Sequence, residues 1–247
     1  MKVYFLGTMG WFDTKLGNTL CILVDTGSEY VIFDAGTGFF KIDNYIKDRR
    51  PIYLFLSHFH LDHIIGLHTL NKFFFSQGIN VFGPTGTQKM FDTVINTPYS
   101  KPVRKLKSKI KVKDITRGIK FPINIKYGKL LHTTVCYGYR LSANGKTIAF
   151  CTDTGPCVQM KALAKYADLL ITEASLPPGT IDRGWPHLNP EQAARAAKVS
   201  KVKKMALVHF DAGDYLKEKD IKLAEESARK IFKNTIAARD GFCLDVH

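Results

Sequence analysis

Residues 57–63 read Ser-His-Phe-His-Leu-Asp-His and follow directly on the apolar run Ile52-Tyr53-Leu54-Phe55-Leu56. His58, His60, Asp62 and His63 therefore crowd into a single short loop. Imidazole nitrogens and carboxylate oxygens are the donors preferred by zinc and similar borderline ions. Four such donors from one segment exceed what one tetrahedral ion takes from a loop, so the string implies two adjacent ions. The apolar run ahead of it has the length and the β-branched and aromatic character of a buried strand. The donors thus sit where a strand ends, on a loop anchored by a sheet.

The same placement recurs further along the chain. His132 follows the run Ile125–Leu131, and His209 follows Met205-Ala206-Leu207-Val208. Asp153 lies in Cys151-Thr152-Asp153-Thr154-Gly155, just past Thr147-Ile148-Ala149-Phe150. Donors delivered from the ends of several strands can converge on one rim, whereas donors from mid-strand cannot. Taken singly, each would be an ordinary loop residue; taken with the first cluster, they predict one shared site. His68 falls one turn beyond His63 and reads as a packed or surface residue.

Around these positions the chain alternates strands with helices. Further strands are expected at Val3–Leu6, Leu20–Val24, Tyr30–Phe33, Tyr137–Ser142, Lys146–Phe150 and Leu169–Thr172. Asp34-Ala35-Gly36-Thr37-Gly38 closes the third of the early strands with turn chemistry. Helices are expected at Phe39–Lys47, Ile64–Phe75, Thr87–Ile95, Val158–Tyr166, Pro190–Ser200 and Tyr215–Phe232. Asn144-Gly145 is a type I′ hairpin signal. Two strand-rich halves, each followed by helices and with no low-complexity linker between them, predict two packed sheets with helices outside. One domain over residues 1–247 is the simplest organisation.

Composition bounds the function. No 18-residue apolar segment occurs, so no transmembrane helix is expected, and the N-terminus lacks a signal-peptide core. Cys21, Cys136, Cys151, Cys157 and Cys243 are scattered without a CxxC pair, which fits a reducing cytoplasm rather than a disulfide framework, and Cys136, Cys151 and Cys157 read as buried structural thiols. A net charge of +14 favours polyanionic partners, nucleic acid above all. Residues 101–113, Lys-Pro-Val-Arg-Lys-Leu-Lys-Ser-Lys-Ile-Lys-Val-Lys, alternate basic and other side chains. On an extended segment this puts cations on one face, with Val103, Ile110, Val112 and, out of phase, Leu106 free to pack. Either an edge strand defended by lysine or a stripe tracking phosphates has this pattern. Gly83-Pro84-Thr85-Gly86-Thr87 reads as a strand-to-helix turn whose amides could also meet a phosphate.

Over essentially its whole length the chain resembles the metallo-β-lactamase fold superfamily, through HxHxDH, His132, Asp153 and His209 in family order. The resemblance implies an α/β (α+β) fold, an αββα sandwich of two packed mixed sheets with helices outside and a dinuclear site at one edge. It would place His58, His60 and His132 on one divalent ion, Asp62, His63 and His209 on a second, and Asp153 on both. Zinc is the expected metal, with manganese as the alternative. Three stretches are similar to ribonuclease Z: His132-Thr-Thr-Val-Cys-Tyr-Gly-Tyr-Arg140, Asp168-Leu-Leu-Ile-Thr-Glu-Ala-Ser175 and His187-Leu-Asn-Pro-Glu-Gln-Ala-Ala194. Related phosphodiesterases share them.

The implied reaction is phosphodiester hydrolysis. Asp62 would orient the attacking water, His187 would meet the phosphate or protonate the leaving oxygen, and Glu173 would orient His187. Tyr139 and Arg140 would reach the substrate. That substrate is expected to be RNA, a precursor tRNA with a 3′ trailer, or else a cyclic or small nucleotide phosphodiester, and the enzyme a homodimer. Two departures stand out. Cys151-Thr152-Asp153-Thr154 replaces the more usual Ser-Gly-Asp-Thr, and only twenty residues separate His132 from Asp153. That interval has no room for the flexible arm that grips the tRNA elbow in family members carrying one, which keeps small phosphodiesters in play.

Overall fold

The computed structural model describes residues 1–182 and 184–247. Fifteen strands occur among them: β1 (Lys2–Gly7), β2 (Met9–Gly10), β3 (Cys21–Asp25), β4 (Tyr30–Phe33), β5 (Ile52–Phe55), β6 (Ile79–Gly83), β7 (Ile110–Asp114), β8 (Ile125–Lys129), β9 (Tyr137–Ala143), β10 (Lys146–Cys151), β11 (Leu169–Glu173), β12 (Lys204–Val208), β13 (Phe210–Asp211), β14 (Thr235–Ala237) and β15 (Cys243–Asp245). The helices are α1 (Leu61–Ile64), α2 (Thr87–Val94), α3 (Val158–Ala164), α4 (Pro190–Val199) and α5 (Glu218–Arg229).

One sheet runs β15-β1-β3-β4-β5-β6-β7 and the other β14-β12-β11-β10-β9-β8. Strand periodicity divides the side chains between layers. On β4, Val31 and Phe33 face the space between the sheets, while Tyr30 and Ile32 pack outward. On β12, Ala206 and Val208 point inward, and Met205 and Leu207 outward toward α4 and α5. The inter-sheet core is closed by a ring stack, Phe33 on Phe150 with centroids 4.8 Å apart. Strands buried on both faces read as continuous apolar runs, which is why each was legible without alternation. The result is the expected αββα sandwich of mixed sheets.

Strands β4 to β7 are mutually parallel, as are β10, β11, β12 and β14. Parallel neighbours need crossover connections, so successive strands deliver their C-terminal ends to one rim. The loops after β5, β10 and β12 meet there.

Several local expectations are corrected. The segment after the histidine loop is no continuous α-helix: α1 gives way to a 3₁₀ helix over Ile65–Lys72. Its buried residues Ile64, Leu67, Leu70 and Phe73 recur every third position, the 3₁₀ period. Gly66 also lies against the carbonyls of Gly36 and Ala35, too close for any Cβ. The amphipathic stretch expected over Phe39–Lys47 is likewise a 3₁₀ helix, Thr37–Asn44. Helix α5 starts at Glu218 rather than Tyr215, because the Asp220 carboxylate takes the amides of Leu216 and Lys217 ahead of it.

The basic stretch is extended only over β7, with a 3₁₀ turn at Val103–Lys105 before it. β7 is an edge strand, with Lys111 and Lys113 exposed. Val103, Leu106, Ile110 and Val112 pack onto the outer core. No helix among the described residues is long and apolar enough to cross a membrane.

Candidate metal centre

The first donors sit where β5 stops. Asp34, at the end of β4, is fully buried and accepts the backbone amide of Ser57 at 2.7 Å and its hydroxyl at 2.8 Å. The Ser57 oxygen also lies 2.9 Å from His58 Nδ1. A hydroxyl has one proton, and here it goes to Asp34. His58 must therefore donate through Nδ1, which leaves Nε2 as a lone pair. His63 donates Nδ1–H to the same Asp34 carboxylate at 2.8 Å, so its Nε2 is also free to bind. One acid thus sets the tautomer of two histidines.

The donors assemble into two groups. In the first, His60 Nδ1 and His132 Nε2 are 3.3 Å apart, and Asp153 Oδ2 lies 3.7 Å from His58 Nε2 and 3.9 Å from His132 Nε2. In the second, His63 Nε2 and His209 Nε2 are 3.0 Å apart. Asp62 Oδ2 lies 3.4 and 3.2 Å from those two nitrogens, and Asp153 Oδ1 lies 3.2 and 3.3 Å from them. Asp153 turns one oxygen to each group. A tetrahedral ion with bonds of about 2.0–2.2 Å holds its ligand atoms roughly 3.3–3.6 Å apart, and the observed separations of 3.0–3.9 Å bracket that range. His58 Nε2 is buried without any protein partner, an expensive omission unless an ion meets it. The residues fit a divalent metal.

Electrostatics differ between the histidines: the Asp153 and Asp62 carboxylates outweigh burial and raise His63 and His209, so an ion binding there would displace a proton from each. Burial, reinforced by the neighbouring imidazoles, pushes His58 well below its usual value and keeps it a neutral donor. Burial alone would raise the Asp153 carboxyl, but His209, His63 and His58 hold it well below the usual carboxylate range. Asp62 is held low in the same way by His63 and His209 against its own burial.

The backbone is bent to present these groups. Asp34, Asp153 and His209 have φ of +58°, +51° and +55°, a left-handed conformation uncommon outside glycine. The short parallel ribbon of β2 and β13 pairs Met9 with Phe210 and Gly10 with Asp211, locking the loop that carries His209. A Cβ on Gly10 would lie 2.6–2.9 Å from the His209 ring, so only glycine lets strand and imidazole meet this closely.

His187 and Glu173 also reach the site. Glu173, buried at the end of β11, holds His187 Nδ1 with both oxygens at 2.9 and 3.0 Å and accepts the amides of Thr154, Ser175 and Leu188. Burial opposes a charged His187, but Glu173 outweighs it and raises the imidazole to about 9. The His187 ring stacks on His209 with centroids 5.8 Å apart. Over the whole lies a cleft of about 660 Å³, its walls including Trp11, Trp185, Asp182, Asp211 and Asp214.

Other expected contributors lie elsewhere. Tyr139 is fully buried between the sheets and donates to the Leu56 carbonyl at 2.5 Å. Arg140 satisfies carbonyls of Leu163 and Lys165 at the end of α3. His68 is exposed. The amides of Gly86 and Gln88 are taken by Asp114 rather than left for a phosphate. Conversely, Asp34, expected only as turn chemistry, and the two tryptophans join the site without having been expected there. Asp34 had a usable signal, an acid directly after a wholly apolar strand, the same placement as the donors themselves.

A sequence profile of the β-lactamase superfamily domain matches residues 3–210. The ribonuclease Z of Thermococcus kodakarensis is 28% identical, with 88% of each chain covered. That of Bacillus licheniformis is 26% identical, with 97% of each covered, in an alignment of 304 positions. Since the present chain has 247 residues, that relative carries segments absent here. Among solved structures, the metallo-β-lactamase fold protein YhfI of Bacillus subtilis superposes with a TM-score of 0.81 at 21% identity over 98% of both chains. The short form of human tRNase Z superposes with 0.74 at 20% identity over all of both. The chain therefore belongs to the metallo-β-lactamase superfamily, on its ribonuclease Z-like side, and is a metal-dependent hydrolase.

Proposed function

We propose that this hydrolase is a cytoplasmic endonuclease that cuts phosphodiester bonds of RNA, removing 3′ trailers from precursor tRNA. His58, His60 and His132 would hold one zinc ion and Asp62, His63 and His209 a second, with Asp153 serving both. Ions held there supply positive charge for the phosphate oxygens and a water acidified to a pKa of about 7. Asp62, fixed by the Trp11 amide on Oδ2 at 2.9 Å, would orient the attacking water and accept its proton. His187, with Nδ1 tied to Glu173, turns Nε2 to the substrate as the donor to the leaving oxygen. Glu173 positions His187 and touches no substrate.

Charge distribution favours RNA over a small diester. Residues 101–129 contain eleven lysines and arginines, all exposed, and a single acid, Asp114. That segment supplies most of the net charge of +14. The register Phe55–Phe82–Lys113 puts Lys113 two strands from the end of β5, roughly 10 Å at 4.7–4.9 Å per strand. Lys111, Lys113 and Lys120 line a cleft of about 370 Å³ at that edge. An RNA whose 3′ end occupies the metal centre has phosphates within reach of this edge.

One observation favours the small-nucleotide reading. The hairpin between β9 and β10 closes in the tight Asn144-Gly145 turn, so no arm projects from it. The deciding experiment is cleavage of a precursor tRNA carrying a 3′ trailer by metal-loaded protein, with Asp62→Ala as control. A discrete cut at the trailer junction, absent from the variant, is expected. No cut from protein carrying two metals per chain transfers the proposal to small phosphodiesters.

A further inference from the structure

The only two tryptophans of the chain both stand over the metal centre, and both are exposed: Trp11 by 67% and Trp185 by 48%. Trp185 lies parallel to the His60 imidazole, with centroids 5.6 Å apart and planes 19° apart, and edge-on to His132 at 6.0 Å. Asp182 accepts the amides of Gly184 and Trp185, which ties down the backbone of Trp185 itself. Trp11 is held through its amide to Asp62 and by an edge contact with Phe12 at 5.0 Å. Tryptophan is highly buried on average, so two anchored indoles left in one cleft call for a flat partner.

The polar lining narrows that partner. Asp182, Asp211 and Asp214 contribute carboxylates, and no lysine or arginine is present among the described lining residues. Those carboxylates accept hydrogen bonds from N–H groups. A nucleobase is flat, carries no charge, and presents amino and imino donors at its edge.

We infer that this cleft is a nucleobase subsite. The base of a nucleoside flanking the scissile phosphodiester stacks on Trp185 and Trp11, and Asp211 and Asp214 accept from its amino or imino edge. The subsite rests on the proposed phosphodiesterase chemistry, while the basic edge at β7 handles the rest of an RNA.

The test pairs an RNA cut by the wild type with matched RNAs made abasic on the 5′ or the 3′ side of the cut. Trp185→Ala, checked for metal content, is expected to lose about 10- to 100-fold in kcat/KM on the base-bearing RNA. On one of the abasic RNAs, wild type and variant should then converge. Trp185→Phe, which keeps a stacking face, should recover most of the loss. Equal losses on all three RNAs, or no loss on any, overturn the subsite and leave Trp185 as a shield over His60. If the wild type cuts no RNA, the RNA proposal has failed separately, and guanosine inhibition of bis(p-nitrophenyl) phosphate hydrolysis decides the subsite. Inhibition weakened in Trp185→Ala supports it; a wild type that guanosine does not inhibit overturns it.

Discussion

The carboxylate of Asp34 stands 2.8 Å from Nδ1 of His63, and through the Ser57 hydroxyl it also fixes His58 in the other donor group. An amide in its place offers one acceptor and one donor, and cannot hold both rings in the required tautomer. Asp34→Asn is expected to weaken metal binding about 10- to 100-fold, read by competition with a chromogenic chelator. Activity should recover in excess metal. Unchanged affinity would remove Asp34 from the centre.

Gly10→Ala drives a methyl group into the His209 ring. Because His209 serves only the second donor group, metal content should fall from two ions toward one, with activity lost in step. The sandwich should still fold, since the clash lies at the rim and not in the core. Metal analysis beside a thermal melt separates the two effects.

Replacing Lys111, Lys113 and Lys120 together with glutamine removes three cations from the edge cleft. If each contacts a phosphate, the slope of log affinity for RNA against log salt falls by about 2–3. Hydrolysis of bis(p-nitrophenyl) phosphate, which does not span that distance, should stay at the wild-type level. An unaltered salt slope would return β7 to the role of a defended sheet edge.

Far from the centre, Arg50 grips Asp25 with bonds of 2.5 and 3.0 Å and lies over the Tyr30 ring at 4.2 Å. Burial would raise the Asp25 carboxyl, but Arg50 and the Gly27 amide pull it below its usual value. A carboxylate depressed in the folded state adds stability above its unfolded pKa of about 3.9 and loses it as pH falls through the folded one. Arg50→Ala should therefore cost about 1 kcal/mol at pH 7, a difference that shrinks below about pH 4. Urea melts at the two pH values test the sign.

Much of this was legible because each donor follows an apolar run, so strand and ligand announce each other in one string. The HxHxDH loop, His132, Asp153 and His209 needed no tertiary information to be paired with strand ends. What stayed hidden depends on partners remote in sequence. β15 exists because Leu244 pairs with Val3, and β2 because Met9 pairs with Phe210; neither segment has a pattern of its own. Tyr139 shows the converse, since a tyrosine beside a family-like motif proved to be a core residue satisfied by a carbonyl. Asp34 was read as turn chemistry, correctly for its backbone, but nothing in the string shows that His63 lies beside it.

The left-handed backbone at Asp34, Asp153 and His209 sets the protein's chemistry against its endurance. Each position would suit glycine, and a side chain there costs on the order of 1–3 kcal/mol. Bound metal returns that cost to the folded protein. A population of variants sorted only for resistance to heat, in the presence of a chelator, would gain by drifting to glycine at Asp153 and His209, while Asp34, which pairs the buried Ser57 amide, would stay. It would keep the sandwich and lose the enzyme.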